Sequence, residues 1–129
     1  MDIAKIPEPA STLICCNVTT KWPYKVLFVK RSEKAAFLPG AYVFPGGRMD
    51  KKDALLAGWL MSDQSNISRI ARFFPNNHRT AEHLACAIRE TLEETGLSTL
   101  KIRENNQCTF ATAKELESII EQQPAQGAP

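Results

Sequence analysis

The spacing of hydrophobic and polar positions changes several times along this chain, and each change predicts an element. Apolar-rich runs at 12–18 and 25–30, separated by the turn Lys21-Trp22-Pro23-Tyr24, predict a β-hairpin. Pro39-Gly40 marks a further turn, and Ala41-Tyr42-Val43-Phe44 reads as a short strand stopping at Pro45-Gly46-Gly47. A helix is predicted over 53–61, with Leu55, Leu56, Trp59 and Leu60 on its apolar side. Another over 67–74 is broken by Pro75-Asn76-Asn77. Over 80–95, Ala81, Leu84, Ala85, Ile88 and Leu92 follow the helical period, with Thr80 as N-cap and Gly96 as left-handed C-cap. A brief strand at Leu100-Lys101-Ile102 precedes an amphipathic helix over 111–122, carried by Leu116, Ile119 and Ile120. Residues 1–10 read as a polar lead, 11–122 as one domain and 123–129 as a disordered tail, with no internal repeat.

The helix over 80–95 carries the candidate chemistry. At ~100° per residue, Glu90, Glu93 and Glu94 share one face, roughly opposite the apolar stripe. Like charges one turn apart repel, so the cluster is either an ordinary solvated face or a seat for a cation. Mg²⁺ and Mn²⁺, hard ions with a preference for oxygen, are the natural occupants. Arg89 lies one turn before Glu93 and can orient it; His83, two turns before the acids, is a supporting group or a plain surface histidine.

Composition narrows the classes. With 129 residues, 43% of them hydrophobic, the chain is sized for one domain with one core. Sixteen basic and fourteen acidic residues, net +2, give no argument for a nucleic-acid or membrane partner. No apolar run approaches the ~20 residues of a spanning helix, and the first residues have neither a signal peptide's apolar core nor a transit peptide's bias. Cys15, Cys16, Cys86 and Cys108 lack CxxC spacing, which argues against zinc and for reduced thiols in an intracellular compartment.

Gly46-Gly47 after a strand permits a close backbone approach or a positive φ; standing alone it would read as a tight turn. Together with Arg89-Glu90-Thr91-Leu92-Glu93-Glu94-Thr95-Gly96-Leu97, it resembles the Nudix hydrolases. Their signature is a glycine, a spaced glutamate, then Arg-Glu-hydrophobic-x-Glu-Glu-x-Gly-hydrophobic. Thr91 replaces a hydrophobic residue, and a long insertion, about residues 48–79, separates the glycines from the helix. The spaced glutamate would fall at Ala81, with Glu82 one residue off register. Within the family, the string from Phe37 through Phe44-Pro45-Gly46-Gly47 to Asp50, then Asp53 and Cys86-Ala87-Ile88-Arg89-Glu90, is similar to the peroxisomal coenzyme A diphosphatase branch.

The resemblance implies an α/β/α sandwich around a mixed sheet and metal-dependent hydrolysis of a nucleoside diphosphate, of the coenzyme A or acyl-coenzyme A type. It implies Glu90 and Glu94 as metal ligands, Glu93 as ligand or base, and Arg89 as the residue orienting a glutamate. Gly46, Gly47 and Arg31 are implied at the phosphates, and Arg69, Arg72, His78 and Arg79 are further candidates for an extra 3′-phosphate. Glu104, Glu115 and Glu117 are the acids available downstream. Little sheet is predicted after Leu97, so the chain reads as the front of a longer protein with an incomplete sandwich. Two alternatives stay open: a Nudix enzyme for another nucleoside diphosphate, and a non-catalytic Nudix-like module. Relatives of this type imply a peroxisome or mitochondrion, whereas the ending Gly127-Ala128-Pro129 is no Ser-Lys-Leu-type address and leaves the cytoplasm open.

Overall fold

A computed structural model describes residues 6–19, 23–73 and 78–123. Outside them lie Met1 to Lys5 of the predicted lead, Lys21 and Trp22 of the predicted turn, the break at Pro75-Asn76-Asn77, and 124–129 of the predicted tail.

The first part of the chain is a set of short antiparallel ladders. Strand β1 (Ala10–Thr12) pairs with β6 (Gly46–Arg48), β2 (Cys16–Asn17) with β3 (Lys25–Val26), and β4 (Val29–Lys30) with β5 (Tyr42–Val43). The hairpin expected over 12–30 is therefore present as β2–β3, but each expected strand is split in two. Single hydrogen bonds carry the pairing past the ladder ends: Leu13 N to Pro45 O and Leu27 N to Cys15 O, both 2.9 Å, and Arg31 N to Ala41 O, 2.8 Å. Pro45 has no N–H to give and lies at a bend that separates β5 from β6. Strand β5 thus stops before Pro45, as expected, and Gly46-Gly47 opens a separate strand with a different partner, β1 in place of β4. Among the described residues every ladder is antiparallel and two-stranded. The mixed sheet is thus represented only by antiparallel pieces, because no crossover connection sets two of these strands parallel.

The inserted segment folds into helices. Asp50 caps α1 (Lys51–Leu60): its side chain accepts from Lys52 N, and the Asp53 side chain accepts from Asp50 N in return, a reciprocal capping box. That cap starts the helix ahead of the predicted position. Helix α2 (Gln64–Phe73) follows, then α3 (His78–Thr95). Thr80 lies inside α3 instead of capping it, while Gly96, at φ 72°, ends it as expected, its N–H reaching Leu92 O at 2.9 Å.

Beyond α3, β7 (Lys101–Glu104) and β8 (Gln107–Phe110) form a hairpin whose second strand the hydrophobic pattern did not reveal. The local signal was Asn105-Asn106, both at positive φ in a two-residue turn. Thr112 and Glu115 then form a second capping box on α4 (Ala113–Glu121).

The core joins Leu56 and Leu60 of α1, Ala81, Ala85 and Ile88 of α3, Leu100, Ile102 of β7, and Leu116 and Ile120 of α4. Each fully buried Leu or Ile contributes about 1.5–3 kcal/mol. Leu84, expected in the stripe, is partly exposed at its edge. Buried residues Cys86, Ala87, Arg89 and Thr91 show that α3 is covered on more than its apolar stripe. Its contacts run to α1 on one side and to β1 and β6 on another, and this brings the acids of its last turns against the glycine pair.

Candidate active site

Both glycines of β6 are required by proximity and not by backbone dihedral, since neither has a positive φ. A Cβ on Gly46 would collide with the Ser11 carbonyl oxygen of β1. One on Gly47 would lie 2.5 and 2.6 Å from the two carboxylate oxygens of Glu90. The missing side chain of Gly47 is thus the space that seats Glu90. Next to it, the Gly46 N–H donates to Glu94 Oε2 at 3.3 Å. Glu90 and Glu94, one turn apart on α3, both end at the same two-residue stretch of strand.

Arg89 organises the rest. Its Nε donates to Asp53 Oδ1 at 2.7 Å and its Nη2 to Asp53 Oδ2 at 3.0 Å, a buried bidentate pair. Nη2 also reaches Arg48 O at 3.0 Å, and Nη1 reaches Glu90 Oε1 at 2.9 Å and Glu93 Oε2 at 3.0 Å. A guanidinium has five N–H donors, and these oxygens engage each of its three nitrogens. The hydrogen bonds to Asp53 raise its pKa above the ordinary arginine range, against the opposing effect of burial. Arg89 therefore holds carboxylates and has little left to offer a substrate, as expected from its place one turn before Glu93.

Asp53 is the partner that sequence reasoning missed in this role. It is fully buried and belongs to the inserted helix. The Asp50-x-x-Asp53 spacing signals a helix cap, and the packing of α1 against α3 brings Asp53 to Arg89.

The three glutamates are placed differently. Glu90 is mostly buried at 16% side-chain exposure, while Glu93 is open at 57% and turned to Arg89. No group of three His, Cys, Asp or Glu side chains is arranged to hold a metal among the described residues. What converges is a pair, Glu90 and Glu94, seated on glycine backbone. With Asp53, Glu90 and Glu93 already sharing one guanidinium, the local charge is clearly negative. All the donors are oxygens, so the set fits a hard divalent cation better than a soft one.

Two cavities flank the cluster. One of about 310 Å³ is lined by Lys30, Arg31, Ser32, Val43 and Glu94, so Arg31 and Glu94 do meet in one space. Arg31 Nε is tied to Phe37 O at 2.8 Å, with the guanidinium 5.9 Å from the Phe37 ring centroid. The other, about 380 Å³, includes Lys52, Arg89, Leu92, Glu93, Leu116 and Glu117 in its lining. Among the downstream acids, Glu117 thus reaches the cluster's vicinity, whereas Glu115 is committed to the α4 cap and Glu104 is exposed on β7. Arg69 lines a third cavity with Leu60, Leu84 and Ile88, apart from the acids; Arg72 and Arg79 are exposed.

Around the glycine strand, His83 Nδ1 and Ser11 Oγ share a hydrogen bond of 2.8 Å, so His83 braces β1 against α3 and is not a free surface histidine. Buried Cys86 lies 3.5 Å from Gly47 O, its thiol pushed up in pKa first by burial and then by the charge of Asp53. Thr91, at the hydrophobic position of the motif, is fully buried, with its hydroxyl donating to Ala87 O at 2.7 Å.

The sequence model of the NUDT19 Nudix domain matches residues 4–72, just over half of the chain. The chain belongs to the Nudix family. The matched stretch contains the glycine strand and α1 and stops before α3. Acyl-coenzyme A diphosphatase NUDT19 of Xenopus laevis is 31% identical to this Nudix chain, over 57% of this chain and 25% of the relative. The protein of the same name from Gallus gallus is 32% identical over the same shares. The chain thus spans about a quarter of the length of these curated relatives. A crystal structure of a NUDIX hydrolase from Alicyclobacillus acidocaldarius superimposes with a TM-score of 0.61 at 24% identity, covering 89% of this chain and 49% of the other. That likeness shows the fold to be of the α/β Nudix kind.

Proposed function

We propose that this Nudix domain hydrolyses the diphosphate bond of coenzyme A or an acyl-coenzyme A, releasing 3′,5′-ADP and (acyl-)4′-phosphopantetheine. The observation that carries the reading is the seating of Glu90 and Glu94 side by side on Gly46-Gly47. Mg²⁺ or Mn²⁺ held by Glu90 and Glu94 would neutralise diphosphate charge and lower the pKa of a water. Glu93, exposed and oriented by Arg89, takes the proton of the attacking water. The phosphates enter the smaller cavity, where Lys30 and Arg31 face Glu94. The larger cavity is a poor home for them. Its carboxylates Glu93, Glu117 and Glu121 outnumber Lys52, and Arg89 is already occupied.

The substrate class rests on the names of the relatives, acyl-coenzyme A diphosphatases, and on the similar string from Phe37 to Asp50. Other nucleoside diphosphates fit the same acid and glycine arrangement, because recognition lies outside it. A non-catalytic binding module is the rival reading, and the engagement of Glu90 and Glu93 by Arg89 is the observation on its side.

The deciding assay incubates the folded chain with coenzyme A and Mg²⁺ or Mn²⁺ and follows 3′,5′-ADP by chromatography. Release of product that falls at least ~100-fold in Glu94→Gln supports the site. No product from a folded chain sinks the enzymatic reading, and ADP-ribose or NADH cleaved in preference sinks the coenzyme A assignment.

A further inference from the structure

Leu84 belongs to the apolar stripe of α3, yet it is 37% exposed while Ala85 and Ile88 beside it are buried. A cavity of about 380 Å³ opens over it, with Leu13, Leu60, Leu84, Ile88 and Leu100 in its walls. Leu60, Ile88 and Leu100 are core residues, so the floor of this cavity is the helical core itself. The acids lie elsewhere. Ile88 and Glu90 are ~200° apart around the helix axis, which sets the cavity behind the face that carries Glu90.

The charged part of the lining has one sign. Arg69 of α2 and Lys101 of β7 both border the cavity, both are exposed, and no carboxylate is in its walls. Neither cation has an ion pair among the described residues. Lys101 Nζ lies 5.2 Å from the centroid of the Phe110 ring. Asp63, just before α2, is turned to the start of that helix, where its Oδ1 accepts from Ser65 N at 2.7 Å. Asn66 completes the polar lining: its Nδ2 donates to Leu60 O at 3.1 Å and keeps a second N–H.

An apolar floor under a cationic mouth selects a ligand with an apolar body and one anionic end. Long basic side chains lay their stems along apolar surface and keep their charged heads at the water, and a guanidinium fork matches the two oxygens of a carboxylate. The volume is near the lower end of the range for small-molecule sites, about 300–1,000 Å³, which limits the apolar body to medium length. We propose that this cavity is a second binding site, for a carboxylate carrying a medium-length apolar chain, of the class of octanoate and decanoate. The head sits between Arg69 and Lys101, and the chain lies along Leu84, Ile88 and Leu100. The site is separate from the acid cluster and stands whether or not the chain is a hydrolase.

The test titrates the full chain, ¹³C-labelled at its Leu and Ile methyls, with decanoate, octanoate and decanol below their aggregation limits. Decanoate is expected to shift the Leu84, Ile88 and Leu100 methyls while leaving exposed Ile14 in place. Octanoate is expected to bind roughly 10-fold more weakly, the loss of two buried CH₂ groups. Decanol, with the same chain and no charge, is expected to bind at least ~10-fold more weakly than decanoate. The double variant Arg69→Gln with Lys101→Gln changes only exposed side chains and is expected to abolish the preference for decanoate over decanol, with decanol binding unchanged.

Equal binding of decanoate and decanol by the parent overturns the carboxylate assignment, as does a preference that survives in the double variant. Shifts that appear at Ile14 as strongly as at Leu84 mean adsorption to exposed apolar surface and overturn the site. Cavity methyls that move with protein concentration in the absence of ligand make the occupant a second copy of the chain and overturn it as well.

Discussion

At the scale of single residues, the site depends on atoms that are missing as much as on those present. Gly47 is useful because its absent Cβ is the seat of the Glu90 carboxylate. Gly47→Ala is expected to displace Glu90, lower metal-dependent activity at least ~10-fold and destabilise the fold by about 1–3 kcal/mol through overpacking. Urea unfolding and a Mn²⁺ titration of the same variant check both effects, and full activity in a folded Gly47→Ala would remove Glu90 from the site. The thiols offer a second check. Burial raises the pKa of Cys86, so less of it is thiolate at any given pH. Iodoacetamide at neutral pH is expected to label exposed Cys16 and Cys108 well before Cys86, with Cys86 reacting at their rate only in urea. Mass spectrometry of the labelled peptides reads the order.

At the scale of elements, caps and turns determine where helices and strands begin, and they were partly legible. Gly96 as the α3 C-cap and the amphipathic α4 follow from local pattern, which is why they appear where the sequence places them. Split strands were harder to foresee, because Pro45 and the change of ladder partner between Thr12 and Cys16 depend on which strand lies alongside. Helix α4 carries an acid-sensitive cap. Glu115 is held below its usual pKa first by the Thr112 backbone N–H and then by the Thr112 hydroxyl. A lowered folded pKa means that this contribution is present above the unfolded value and lost as the pH falls through the folded one. Fraying of α4, seen in its amide exchange, is therefore expected as the pH drops below about 4.3. Thr112→Ala is expected to lower stability by about 1 kcal/mol at neutral pH, an effect that shrinks in acid.

At the scale of the whole molecule, the helical core is well covered while the early ladders are not. Ile14, Val18, Phe28 and Tyr42 are all exposed beside the strands, although Phe28 stacks on Phe44 at 4.7 Å between ring centroids. Exposed apolar side chains of this size bind apolar probes. The chain is expected to enhance the fluorescence of the dye ANS at neutral pH while showing a cooperative melt, and Phe28→Ser to reduce the dye signal without lowering α-helix content. Dye binding that appears only on heating would contradict this distribution of apolar surface.

The sequence by itself determined that three glutamates share a helix face, that an arginine stands one turn before Glu93, and that a glycine pair follows a strand. These are consequences of the helical repeat and of backbone chemistry, which act over a few residues. Only the tertiary structure decided that Glu90 fills the space left by Gly47, that Glu93 faces Arg89 and solvent, and that Asp53 of the inserted helix anchors that arginine. Those contacts join residues far apart in the chain. They are chosen by how α1 and β6 pack against α3, and no local period records that choice.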